Sequence, residues 1–154
     1  MLHRLVTASA LALAFIACTP GSQAREASAD TPAPHRFVRI TLPAGAAPSS
    51  GRLLVFATDA KAARAAAKDG QVTAIDTSPF SPQSVSIAAQ EVPYLAAGGS
   101  VDVDLDQIAF PAPFSTLADG DYLVQAVLDV DHSYNYTGRN GGDLVSAVTP
   151  VTLG

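Results

Sequence analysis

The chain has 154 residues, 48% hydrophobic and 15% charged, which is too apolar for a disordered polyelectrolyte and long enough for a folded domain. Nine basic residues against 14 acidic ones give a formal charge of -5, and this balance argues against nucleic acid as a partner. The single cysteine excludes an intrachain disulfide and any zinc site built from several thiolates.

Residues 1–4 are basic through Arg4, and residues 5–17 carry nothing more polar than Thr7 and Ser9. A membrane-spanning helix needs about 20 residues, so this run is too short to span and fits the apolar part of a signal peptide. The cysteine ends the run, in Phe15-Ile16-Ala17-Cys18. These four residues resemble the lipobox of bacterial lipoproteins, with Phe15 where leucine is usual. The resemblance implies a signal peptide over 1–17, cleavage before Cys18 and a diacylglycerol on its thiol. Ala27-Ser28-Ala29 offers the ordinary signal peptidase a second, more distant site. A free thiol in an oxidising compartment would be reactive, which favours the lipid. Thr19 follows the cysteine where aspartate would signal inner-membrane retention, so the same resemblance implies an outer-membrane lipoprotein facing periplasm or surface. Residues 18–34 are small, polar and Pro-bearing, and read as a flexible tether.

The domain is expected over 35–154. Val38, Ile40 and Leu42 alternate with Arg39 and Thr41, the pattern of a half-buried strand. Leu53-Leu54-Val55-Phe56 is apolar on both faces and predicts a central strand. Residues 60–68 are rich in Ala, Lys and Arg between the cap candidates Thr58 and Asp59 and the terminator Gly70, which predicts one short helix. Lys61, Arg64 and Lys68 share its face, read as a solvated surface rather than an anion site. Residues 72–83 contain Pro79 and Pro82 and read as loop with at most a short edge strand. Residues 85–92 predict a strand, and Gly98-Gly99 a turn. Val101, Val103 and Leu105 alternate with Asp102, Asp104 and Asp106, which predicts a strand showing an acidic row to solvent. Residues 108–114, with Pro111 and Pro113, are expected to be irregular or an edge.

Residues 122–130 form the strongest strand pattern, with Tyr122, Val124, Ala126, Leu128 and Val130 on one face and Leu123 and Val127 on the other. The approach to it, Leu117 through Gly120 to Tyr122, resembles the tyrosine corner of Greek-key sandwiches, which implies structural roles for these three residues. Residues 131–143 are a polar, Gly-rich loop, and residues 145–153 a final strand that Pro150 places at an edge. The expected fold is all-β: an antiparallel immunoglobulin-like β-sandwich of about seven strands with one short helix inserted.

No Gly-x-Ser-x-Gly elbow, phosphate loop or zinc motif appears, so neither an enzyme nor a cofactor is expected. Asp129, His132 and Ser133 hold triad residue types, but adjacency in sequence does not make triad geometry. Asp129, Asp131, Asn135, Asn140 and Asp143 offer calcium-type oxygens. They lack the spacing of the helix-flanked calcium loop, and solubility and edge protection account for the acids without a metal. The candidate binding residues are His132, Tyr134, Tyr136, Arg139 and Asn140, since aromatics and planar polar groups on a loop at a sandwich end suit protein or glycan recognition.

Residues 51–56, 92–101, 114–126 and 143–148 are similar to the N-terminal sandwich domain of secreted bacterial esterases related to enterochelin esterase. Gly120-Asp121-Tyr122-Leu123-Val124-Gln125-Ala126 is the most specific stretch. In that family catalysis belongs to a following α/β-hydrolase domain, so the resemblance transfers no catalytic residue. The lipobox and the loop together lead to the expectation of a lipid-anchored, non-catalytic envelope module that binds a protein or glycan through residues 131–143, and the esterase resemblance implies the alternative of an accessory domain acting with a separately encoded secreted esterase. Cys18→Ala is expected to release the protein from the membrane fraction; unchanged fractionation would refute the lipid anchor.

Overall fold

The computed structural model describes residues 34–135 and 138–154. The expected signal peptide, Cys18 and most of the tether lie outside the described residues, as does Tyr136. No helix among the described residues is long and apolar enough to cross a membrane.

The domain is all-β, with antiparallel sheets of two and six strands. In the small sheet, β1 (Phe37–Thr41) pairs with β4 (Ser100–Asp104). The large sheet runs β5 (Ala109–Phe110), β3 (Ser86–Leu95), β2 (Ser49–Asp59), β6 (Gly120–Asp129). Two short strands, β7 (Leu144–Val145) and β8 (Thr149–Leu153), then follow one another along the outer side of β6.

The apolar run of β2 lies at the centre, hydrogen-bonded to β3 on one side and β6 on the other. Leu53, Val55 and Ala57 face the small sheet. With Ala88, Val92, Val103, Leu105, Phe114, Ala126 and Leu128 they form a first core. Leu54 and Phe56 face the opposite way and meet Ile75, Val85, Leu123 and Val127 in a second core. A helix, α1 (Ala60–Ala66), and the extended segment 71–76 cover that second face. Val72 and Ile75 of this segment therefore cover apolar side chains, residues 79–83 are exposed, and residues 72–83 form no strand.

Asp59 caps α1 by accepting from the backbone N–H of Ala62 at 2.7 Å. The helix is shorter than its composition predicts. Ala67 is already extended, and Gly70, at φ 67°, turns the chain in the left-handed region that glycine enters without strain. Lys68 thus falls beyond the helix and does not continue the face of Lys61 and Arg64.

The acidic row is not simply turned to solvent. Asp102 takes a two-pronged bond from Arg39 directly across the β1–β4 ladder, both contacts at 2.7 Å. Asp104 meets His35 at 2.8 Å, which raises the imidazole above its ordinary pKa. Asp106 accepts from the backbone N–H groups of Arg36 and Ser115.

The expected final strand is two pieces. Pairing shifts by one residue between Val127–Val145 and Val124–Thr149, so residues 146–148 bulge. Ser146 bridges the break: its N–H donates to the Ala126 carbonyl, and its hydroxyl accepts the Ala126 N–H, both at 2.9 Å. At the start of β6, the Tyr122 hydroxyl donates to the Ala118 carbonyl at 3.0 Å, while Leu117 packs against the first core. At the other end of the sheet, a Cβ on Gly51 would lie 2.4 Å from the Asp129 carbonyl oxygen, so only glycine lets β2 and β6 approach there.

Phe56 is fully buried and carries the second core. Phe56→Ala is expected to lower stability by about 3–5 kcal/mol in urea unfolding; a loss under about 1 kcal/mol would show that the second core is not structural.

Candidate functional site

The 130–143 loop is organised by Asp129, the last residue of β6. Its carboxylate is wholly buried and accepts the N–H groups of Ser133 at 2.9 Å and Tyr134 at 3.2 Å. His132 occupies the left-handed region at φ 59° and reaches back to Glu91 on β3 at 2.8 Å. Glu91 also receives Arg52 at 3.0 Å, and these two partners, His132 first, hold its carboxyl below the ordinary range. Asp129, His132 and Ser133 form no proton relay: the imidazole bonds to Glu91 while Asp129 takes backbone donors.

Tyr134 and Arg139 turn inward. The Tyr134 ring meets Phe56 edge-on, with centroids 5.6 Å apart, and its hydroxyl bonds to Asp76 and Thr77. Burial first, and then Asp76, pushes the phenol above its ordinary pKa. The Arg139 guanidinium lies 5.6 Å from the Phe56 ring centroid. It donates to the Ile75 carbonyl and, at 2.9 Å, to Gln125 Oε1. Both side chains therefore pin the loop to the second core rather than offering a platform to a ligand.

His132 and Asn140 are exposed. Asn140 donates from Nδ2 to Asp131 and from its backbone to Asp143, both at 2.8 Å. Asp129, Asp131 and Asp143 approach to within 4.8 Å of one another. Asp129 and Asp131 have N–H partners within the loop, and one Asp143 oxygen accepts from Asn140 while the other is unpartnered among the described residues; neighbouring Ser133 and then Asn140 hold Asp131 below the ordinary carboxylate range. Of the four expected binding residues that are described, Tyr134 and Arg139 turn inward and His132 and Asn140 outward.

Gln125 is the residue that sequence reasoning passed over. It is 2% exposed on the second-core face of β6. Its Oε1 accepts from Ile75 N and Arg139, and its Nε2 donates to the Ser146 carbonyl at 2.8 Å. A polar residue between Leu123 and Val127 on an inward face was the available signal, because buried amides require partners. One side chain so links β6 to the covering segment, the loop and the bulge.

A second feature lies on the first-core side. Two strands do not cover a six-stranded face, and a cleft of about 340 Å³ opens between β1 and β7, lined by Ile40, Leu42, Leu53, Ala126, Leu128 and Val145 among others. Among the described residues, no charged side chain and no aromatic ring lines it. A second cleft of about 270 Å³ lies between β1 and β8, lined by Val38, Ala57, Val124 and Val151 among others. β1 borders both. Leu105 donates to the Arg36 carbonyl and Leu42 to that of Gly99, so by antiparallel alternation the backbone groups of Phe37, Arg39 and Thr41 face away from β4. Two other sheet margins are blunted. Pro150 and the 146–148 bulge interrupt β7–β8, and Gln90 Oε1 caps the outer N–H of Asp104 on β4.

Comparison with protein-family models, with curated proteins and with solved structures gave no match.

Gln125→Leu leaves the Ile75 N–H and the Ser146 carbonyl without their buried partner. It is expected to cost about 1–3 kcal/mol in chemical denaturation and to increase hydrogen exchange in the 71–76 segment. A neutral substitution with unchanged exchange would show that the link is not structural.

Proposed function

We propose that the chain is a non-catalytic binding module of the cell envelope, carried on a lipid at Cys18, that receives an extended polypeptide segment along β1. The observation that carries this reading is the outward-facing backbone of β1 beside an apolar cleft. A strand added there gains main-chain hydrogen bonds from Phe37, Arg39 and Thr41. Its alternate side chains, about 6.8 Å apart, drop towards the two clefts. The lining of the first cleft favours aliphatic side chains over a sugar, since a glycan needs polar partners or an aromatic platform, while the second also presents Phe37, Phe114 and Tyr122. Exposed Leu144 and Val145 extend the apolar surface at the far bank. The resemblance to esterase sandwich domains supports a secreted hydrolase as the source of that segment in the accessory form of this reading.

A photo-crosslinking residue at Thr41, in intact cells, tests the site against the same residue at Lys61 on the opposite face. A discrete protein adduct from position 41, absent from 61 and lost with Leu144→Lys, is expected. Equal labelling from both positions, or none from 41 in a folded and membrane-held protein, would overturn the reading.

A further inference from the structure

The chain contains two asparagines, Asn135 and Asn140. Asn135 precedes the bulky Tyr136, whereas Asn140 precedes Gly141 and Gly142. Asn140 is exposed, and the Gly141 N–H donates to its own neighbour's side-chain oxygen, Asn140 Oδ1, at 2.8 Å. That contact holds the Gly141 nitrogen beside the side-chain carbonyl of Asn140. Nothing lies within 4 Å of where a Cβ would stand on Gly141 or Gly142, so no neighbouring group obstructs rearrangement of this turn.

We propose that Asn140 is a site of spontaneous deamidation, and that the reaction releases the loop from Asp131. The Gly141 nitrogen gives up its proton and attacks Cγ of Asn140. The new C–N bond closes a five-membered succinimide, the Cγ–Nδ2 bond breaks, and the amide nitrogen leaves as ammonia. Water then opens the ring. Opening at Cγ restores the main chain and leaves aspartate; opening at the backbone carbonyl carbon leaves isoaspartate, with the main chain running through Cγ. Water is consumed, ammonia is released, and nothing is oxidised or reduced.

The setting gives the change its consequence. Asn140 Nδ2 is the donor that meets Asp131, and the product replaces it with a carboxylate beside Asp131 and Asp143. A hydrogen bond becomes a like-charge contact. In the isoaspartate form the lengthened main chain also displaces the mutual bonds of Asn140 and Asp143, in which Asn140 N donates to the Asp143 carboxylate and Asp143 N to the Asn140 carbonyl. The modified loop is thus more acidic and less tethered than the newly made one. This inference stands apart from the groove reading.

The test is incubation of the folded protein at 37 °C in mildly alkaline buffer, read by peptide mass mapping and by hydrogen exchange over the loop. The mass gain of amide-to-acid conversion excludes rearrangement at Asp69-Gly70 and Asp119-Gly120, which leaves the mass unchanged, and mapping to the peptide that holds Asn140 separates it from the glutamines. Conversion at Asn140 is expected at least an order of magnitude faster than at Asn135, with faster exchange in the converted loop. Gly141→Val, which enters open space, is expected to slow conversion by at least that factor while the fold is kept. An Asn140 that persists in the folded protein while the same chain in urea converts would overturn the proposal. So would conversion that leaves loop exchange unchanged.

Discussion

Burial of β2 on both faces is the constraint from which the other features follow. A strand in a two-layer sandwich turns alternate residues to water, but Leu54 and Phe56 are as buried as Leu53 and Val55. The second face must therefore be covered, and seven helical residues are too few to cover it. The 71–76 segment, Tyr134 and Arg139 complete the cover. On the other face the small sheet has only two strands, which leaves the cleft beside β1. One strand thus accounts both for a loop drawn inward and for a groove left open.

The polar side chains of the small sheet act on register more than on stability. Exposed ion pairs contribute little free energy. Arg39 and Asp102 stand directly opposite, as do Thr41 and Ser100, whose hydroxyls lie 2.7 Å apart. A one-residue slip of β1 would break both pairs and turn Val38 and Ile40 away from the core. Asp102 and Asp104 are therefore half of a matched set, with Arg39 on β1 and His35 just before it more than 60 residues earlier in the chain.

Much of the fold was legible because it depends on periodicity and local chemistry. The doubly apolar run placed β2 at the centre, the alternation from Tyr122 to Leu128 divided β6 between its two faces, and Asp59 marked the helix start. Features that depend on partners distant in sequence were not legible. Periodicity identifies which side of a strand is buried but not which strand lies beside it, so the backbone of β1 that faces away from β4 had no sequence signal. The bulge at 146–148 depends on a register shift that appears only once β6 is in place. Tyr134 and Arg139 read as surface residues because their tips are polar; their stems and rings pack on Phe56.

The β2–β6 ladder joins Arg52 to Asp129 and Asp59 to Tyr122. A ribosome delivers residue 59 well before residue 122, so nascent β2 has β3 beside it long before β6 arrives. During that interval its most apolar stretch has one bare flank and neither core is closed. Contacts this remote in sequence slow folding and prolong exposure of such a strand. The central strand that makes the finished domain firm is thus also what makes its biogenesis hazardous, and a holdase that shields residues 53–57 would act at the moment of greatest need.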